Sequence, residues 1–357
     1  MRIKIITLLI VSMLFQAGTA KAIDREVKKP NVKILATGGT IAGTGKSAVN
    51  SSYEPGKVAI GSLLEAVPQL NDIANVTGEQ IVNIGSEHMT DQVMLTLAKR
   101  VNALMKDENT DAIVITHGTD TMEETAFFLS LTTAGDKPVI LVGAMRPSTS
   151  ISADGPLNLY NAVVAAAAPD SKGKGVMVAM NGSLYPAEDI LKTHTINPET
   201  FQAPNKGAEG YINNRVYYYT QNKRAEASER EPVFDISGTG MLPKVGIVYG
   251  HSDINPDMIA PMLNNGYQGI VYAGVGNGNI HKNVLSVLDK AVAQGIHVVR
   301  STRVPAGPVT TEYEMYELPH KFVASQHLNP QKSRILLMLA LTRTGDYKKI
   351  QEYFDKY

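Results

Sequence analysis

The apolar run Val32-Lys-Ile-Leu-Ala36 ends at Thr37 and two adjacent glycines, Gly38 and Gly39, and Thr40 stands directly behind them. A run of this kind predicts a strand buried on both faces, as in a mainly parallel sheet. The glycine pair lets the backbone turn sharply at the carboxyl end of the strand, where open α/β sheets keep their ligands. Thr40 is therefore expected at the mouth of a crevice. The plan recurs at Ala112-Ile-Val-Ile-Thr-His-Gly-Thr119-Asp120-Thr121-Met-Glu-Glu-Thr125, a strand, a glycine and a hydroxyl residue, now with a carboxylate next to it. Thr121 with Glu124 has the spacing of a helix-opening capping box, which sets Thr119 and Asp120 beside the positive end of a helix.

Strand-like and helix-like stretches alternate along the rest of the chain, the signature of layered α/β domains. Asn75 to Ile84 reads as a strand that empties into the polar cluster Gly85-Ser86-Glu87-His88-Met89. Asp91 to Met105 reads as a helix with Val93, Leu97, Val101 and Leu104 on its core face. Strands are expected at 138–142 and 175–180, with a helix over 154–167 between them. A polar stretch, 221–243, reads as a linker between a larger domain over 23–220 and a smaller, flavodoxin-like doubly wound domain over 244–357. In that second domain strands are expected at 245–249, 269–272 and 297–301. Helices are expected around Val284 to Val292, over 333–341 and over 346–357.

At 357 residues and 43% hydrophobic content the chain can bury a large core. Lys and Arg balance Asp and Glu at 34 each, so nothing electrostatic points to nucleic acid or an anionic membrane as partner. Residues 1–22 combine a basic start, the apolar stretch Ile5 to Phe15 and a small-residue exit, the pattern of a secretory signal peptide cleaved after Ala20 or Ala22. Without cysteine there is no disulfide, thiolate metal site or lipoprotein anchor, so a periplasmic protein is expected.

Several bland motifs are set aside. Thr40-Ile-Ala-Gly-Thr-Gly45-Lys46-Ser47 misses the first glycine of a phosphate loop, and Gly274-Val-Gly276-Asn277-Gly278-Asn279 misses the last glycine of a dinucleotide loop. His88 has no second ligand at metal-binding spacing, so neither metal nor cofactor is expected. Gly43 to Gly56, rich in Gly, Ser and Asn and carrying Tyr53, suits a flap near the crevice. A threonine hydroxyl is a poor nucleophile and needs activation. The available activators are Tyr53, Lys192, Asp120 and Glu314; a lysine beside an aspartate in a closed site accepts a proton once desolvation lowers its affinity.

Ala36-Thr-Gly-Gly-Thr-Ile-Ala-Gly43 and Ile115-Thr-His-Gly-Thr-Asp-Thr-Met-Glu-Glu-Thr125 resemble the two signatures of bacterial type II L-asparaginases. The likeness runs through nearly the whole mature chain, including Val142-Gly-Ala-Met-Arg-Pro147, Ser152-Ala-Asp-Gly-Pro156, Val299-Arg-Ser-Thr-Arg-Val304 and Leu328-Asn-Pro-Gln-Lys332. It implies an amidohydrolase that converts L-asparagine to aspartate and ammonia, with secondary use of L-glutamine. Thr40 is then the nucleophile, assisted by Tyr53 on a lid and by Glu314 reaching into a neighbouring subunit's site. Thr119, Asp120 and Lys192 match the second catalytic group. Ser86 and Glu87 match the binders of the substrate's α-groups, joined by Asp120 and, across the interface, Asn277. A homotetramer is implied as well. Two departures bear on substrate choice: position 87 is Glu where several relatives have Gln, and His88 replaces a more frequent Asp or Asn. An extra carboxylate favours the α-ammonium, and the histidine brings sensitivity to mild acid. A glutaminase-asparaginase and a periplasmic amino-acid binding protein are the competing expectations.

Overall fold

The structure is a computed structural model that describes residues 28–45, 53–54, 60–220, 232–311 and 316–357. In chain order the larger domain holds β1 (Asn31–Gly38), the two-residue strands β2 (Thr44–Gly45) and β3 (Tyr53–Glu54), α1 (Ile60–Glu65), α2 (Leu70–Ile73), β4 (Asn75–Ile84), α3 (Asp91–Met105), β5 (Ala112–Thr116) and α4 (Met122–Thr132). It continues with β6 (Val139–Val142), α5 (Gly155–Ala167), β7 (Val176–Met180), β8 (Ser183–Pro186), β9 (Leu191–Lys192), β10 (Phe201–Gln202), β11 (Gly210–Asn213) and β12 (Arg215–Tyr218). An eight-stranded sheet has the order β12-β11-β8-β7-β6-β5-β1-β4. The five strands from β4 to β7 run parallel, while β8, β11 and β12 extend the sheet antiparallel.

Side-chain alternation divides each central strand between two cores. Leu35, Ile113, Ile115, Val139 and Leu141 face α3 and α4, and Ile34, Val114, Ile140 and Val142 face α5. Strands covered on both faces must be apolar throughout, which is why β5 and β6 lack a polar face. The sheet's antiparallel edge was not foreseen from sequence. Its strands are short and tyrosine-rich, and Tyr211 stacks on Tyr217 across the pair with ring centroids 4.7 Å apart.

The smaller domain holds β13 (Val245–Tyr249), β14 (Gly269–Gly274), α6 (Lys282–Ala293), β15 (His297–Thr302), α7 (Glu317–His320), β16 (Val323–Ala324), α8 (Pro330–Leu341) and α9 (Tyr347–Lys356). Its four parallel strands follow one another in sequence order. Val284, Val287 and Leu288 of α6 cover one face with Ile270 and Val298. Ile335, Leu336 and Leu337 of α8 cover the other with Val271 and Val299, and this core is continuous with that of the larger domain, where α8 packs against α4. The stretch expected to be a linker is therefore not a free tether in its second half. Phe234 and Ile236 are buried in the same core, and the Phe234 amide donates to Leu131 O at 3.0 Å.

Candidate active site

Three strand ends meet with almost no side chain between them. Gly39 has φ 80°, and a Cβ there would lie 2.4 Å from the Cα of Gly118; a Cβ on Gly118 would lie 2.5 Å from Ser86 Oγ. Gly38, at φ 108°, turns against Ile84 in the same way. At Gly38 and Gly39 backbone packs on backbone, and at Gly118 it packs on the Ser86 side chain, so only glycine fits. The consequence is positional. Thr40, Thr119 and Ser86 each follow such a contact and are drawn to one end of β1, β5 and β4. Thr40 opens a short 3-10 turn, Thr40–Ala42, and is 4% exposed, and Thr119 is 5% exposed. Thr37 ties the two central strands together below the site by donating to Thr116 O at 2.9 Å.

Lys192 comes from β9, well outside the large sheet, and its Nζ donates to Thr119 Oγ1 at 2.9 Å and to Asp120 Oδ1 at 2.6 Å. The Asp120 amide donates to Ser86 Oγ at 3.1 Å. Glu87 lays its carboxylate over Gly85 and is half exposed, with His88 Nε2 3.7 Å away. Ser86, Glu87, Thr119, Asp120 and Lys192 thus form one polar patch beside the Thr40 turn. Tyr53 lies in β3, which pairs antiparallel with β2, so its backbone is joined to Gly45 of the segment following Thr40. Asn277 sits in the turn after β14, where it and Thr310 bond reciprocally at 3.0 and 2.9 Å. Arg300 donates to Asn277 O at 2.6 Å, to Thr310 O at 2.8 Å and to Glu317. Glu314 lies outside the described residues, between Thr310 and Glu317, which both bond to Arg300.

The capping box expected at Thr121 is not formed. The Thr121 hydroxyl donates instead to Ser86 O at 2.9 Å, and its side chain makes no cap to the helix backbone. Glu124 is turned inward, where burial pushes its carboxyl up to about 7, against the pull of Arg334. At Thr121 the tertiary partner outcompetes the local motif because it satisfies a carbonyl that would otherwise be left unpaired.

Supporting residues that sequence reasoning missed lie beneath the patch. His117 is fully buried, and desolvation holds its imidazole near 4, hence neutral at pH 7. Its Nδ1 lies 2.6 Å from Gly118 O, which can only accept, so Nδ1 carries the proton and Nε2 accepts from Thr125 Oγ1 at 2.9 Å. Asp154 receives the amides of Met145 and Arg146, both at 2.9 Å, and so fixes the loop after β6. Glu123 accepts from the Lys192 amide, and burial raises its carboxyl. Only His117, a polar side chain at the end of the apolar run Ala112–Ile115, carried a signal of its own in the sequence; Asp154 and Glu123 lie among polar neighbours and gain meaning only from their partners.

The family described as "Asparaginase, N-terminal" matches residues 31–224, and that described as "Glutaminase/Asparaginase C-terminal domain" matches residues 244–354. The chain belongs to the asparaginase family. A relative from Haemophilus influenzae named "Probable L-asparaginase periplasmic" is 52% identical, with 95% of this chain and 97% of that one covered. "L-asparaginase 2" of Escherichia coli is 53% identical over 92% of this chain and 93% of its own. A crystal structure titled as a probable cytoplasmic L-asparaginase from Campylobacter jejuni superposes with a TM-score of 0.87 at 48% identity, covering 92% of this chain and all of the other. Two layered α/β domains are thus common to this asparaginase-family enzyme and a solved relative.

Proposed function

We propose that the enzyme hydrolyses L-asparagine to L-aspartate and ammonia, with Thr40 as the nucleophile. The observation that carries this reading is Lys192 Nζ held between Thr119 Oγ1 and Asp120 Oδ1, beside the glycine turn that presents Thr40. A protein that only captures an amino acid needs donors and acceptors for the ligand's charged groups; it does not need two buried hydroxyls with an amine on one of them. Ser86 Oγ already accepts from the Asp120 amide, which leaves its O–H to donate to the substrate's α-carboxylate. Glu87 and the second oxygen of Asp120 supply negative charge for the α-ammonium.

In the first half-reaction Thr40 Oγ attacks the side-chain amide carbon, its proton passes through the activating groups to the amide nitrogen, and the C–N bond breaks to release ammonia and leave a Thr40 ester. Amides at the Thr119 turn stabilise the oxyanion as it forms. In the second half-reaction water adds to the ester carbonyl, Lys192, Thr119 and Asp120 manage its proton, and aspartate departs with the Thr40 hydroxyl restored. Tyr53 is assigned to the lid beside Thr40. Glu314 and Asn277 are assigned to completing the site of a neighbouring subunit in a homotetramer. Export to the periplasm is inferred from residues 1–22 and is in line with the name of the Haemophilus influenzae relative.

Ammonia release from L-asparagine and L-glutamine, measured side by side near neutral pH with protein far below substrate, tests the reading. A much higher specificity constant for asparagine is expected. Comparable constants make it a glutaminase-asparaginase, an activity the C-terminal family description also names. Release from neither substrate refutes the reading.

A further inference from the structure

Within the polar patch of Ser86, Glu87, Thr119, Asp120 and Lys192, Lys192 is the member that the large sheet does not hold. Its strand β9 is two residues long and, among the described residues, pairs only with β10, Leu191 opposite Gln202 and Lys192 opposite Phe201. A two-residue pairing fixes neither register nor direction well. Yet Nζ must lie within hydrogen-bond reach of both Thr119 and Asp120, which come from the far end of β5.

Two buried charged side chains grip this segment from below. Glu123, in the first turn of α4, is 4% exposed and accepts from the Lys192 amide at 3.3 Å. Lys332, in the first turn of α8, is 2% exposed and donates to Ile190 O at 2.5 Å. These are the two peptide groups that flank Leu191. The other Glu123 oxygen accepts from Gln331 at 2.5 Å, so the carboxylate joins α4, β9 and α8. Burying an amine and a carboxylate is costly, and a lysine in the first turn of a helix is also opposed by the helix dipole. Glu123 and Lys332 attract each other, which offsets part of this cost, yet stability alone is a weak reason for the pair, since replacing buried charges by apolar groups of the same volume is often neutral or stabilising.

We propose that Glu123 and Lys332 are positioning residues for Lys192: they clamp the peptides on both sides of Leu191 and thereby set where the Lys192 amine stands. One clamp arm belongs to each domain, so the smaller domain takes part in shaping the site of the larger one in the same chain. The proposal rests on the catalytic reading of Lys192 given above.

The test is a kcat and KM comparison on L-asparagine of the full enzyme carrying Glu123→Leu, Glu123→Gln, Lys332→Met or Lys192→Met, each normalised to folded protein by circular dichroism. Glu123→Leu keeps the volume but loses the acceptor; kcat is expected to fall on the order of 10–100-fold, as for a misplacement of about 1 Å, with KM within about threefold. Glu123→Gln keeps an acceptor oxygen for the Lys192 amide and is expected to recover most of kcat. Lys332→Met is expected to show the same kcat loss as Glu123→Leu, and it decides the matter if Glu123→Leu does not fold. Wild-type kcat per folded enzyme in either tether variant overturns the proposal, as does Glu123→Gln being as slow as Lys332→Met. Lys192→Met separates the two readings. Wild-type turnover there refutes the catalytic reading itself, whereas a silent Lys192→Met with fast tether variants refutes only the clamp.

Discussion

Replacing His117 by Asn gives a sharp test of the physical account of the site. The imidazole is fully buried and titrates near 4 in the fold, against an ordinary 6.5, because desolvation disfavours its charged form. As pH falls, the unfolded chain takes up this proton first, so the folded state loses stability from pH 6.5 downward until its own imidazole protonates near 4. Linkage makes the loss about 2 kcal/mol between pH 7.5 and pH 5 and about 3 kcal/mol by pH 4. Wild type alone does not display this slope. Glu124, raised from 4.5 to about 7, contributes with the opposite sign over nearly the same range, and His297, lowered by burial, adds to the His117 effect. The difference between wild type and His117→Asn isolates the one group. Asn retains a donor for Gly118 O and does not titrate, so its cost from the lost Thr125 bond and smaller volume is a pH-independent offset. With no tryptophan in the chain, far-UV circular dichroism in urea at fixed protein concentration is the assay. The wild-type advantage should shrink by about 2 kcal/mol on going from pH 7.5 to pH 5. An advantage constant to within about 0.5 kcal/mol across that range refutes a neutral, desolvated His117.

Other outcomes follow from the same geometry. Thr40→Ala should abolish ammonia release while asparagine still binds by calorimetry; substantial turnover in that variant removes Thr40 as nucleophile. Gly39→Ala should unfold the site or the protein, because its Cβ would sit 2.4 Å from Gly118 Cα at φ 80°, a strain of several kcal/mol; a melting temperature and kcat equal to wild type contradict the backbone contact. Glu124→Gln should stabilise the protein by about 1–3 kcal/mol at pH 8, where the wild-type carboxylate is a buried charge, and the gain should vanish below pH 4.5, where both side chains are neutral. A gain unchanged by pH speaks against that cause.

What the sequence by itself determined is the local and periodic part. Apolar runs long enough to be buried on both faces predicted the parallel core strands, and α3 has the bounds its spacing predicts, Asp91–Met105. The glycines at 38, 39 and 118 marked turns at strand ends, and hydroxyl residues behind them marked what is presented. Family resemblance then named Lys192, which its own surroundings in sequence do not distinguish. Only the tertiary structure brought Lys192 to Thr119, 73 residues away, and set Glu123 and Lys332 beneath it. It also overruled the capping box at Thr121 and turned Glu124 inward. The division has a physical reason: periodicity and turn chemistry act over a few residues, whereas the worth of a buried polar group depends on the partner that satisfies it, and that partner is chosen by how whole elements pack.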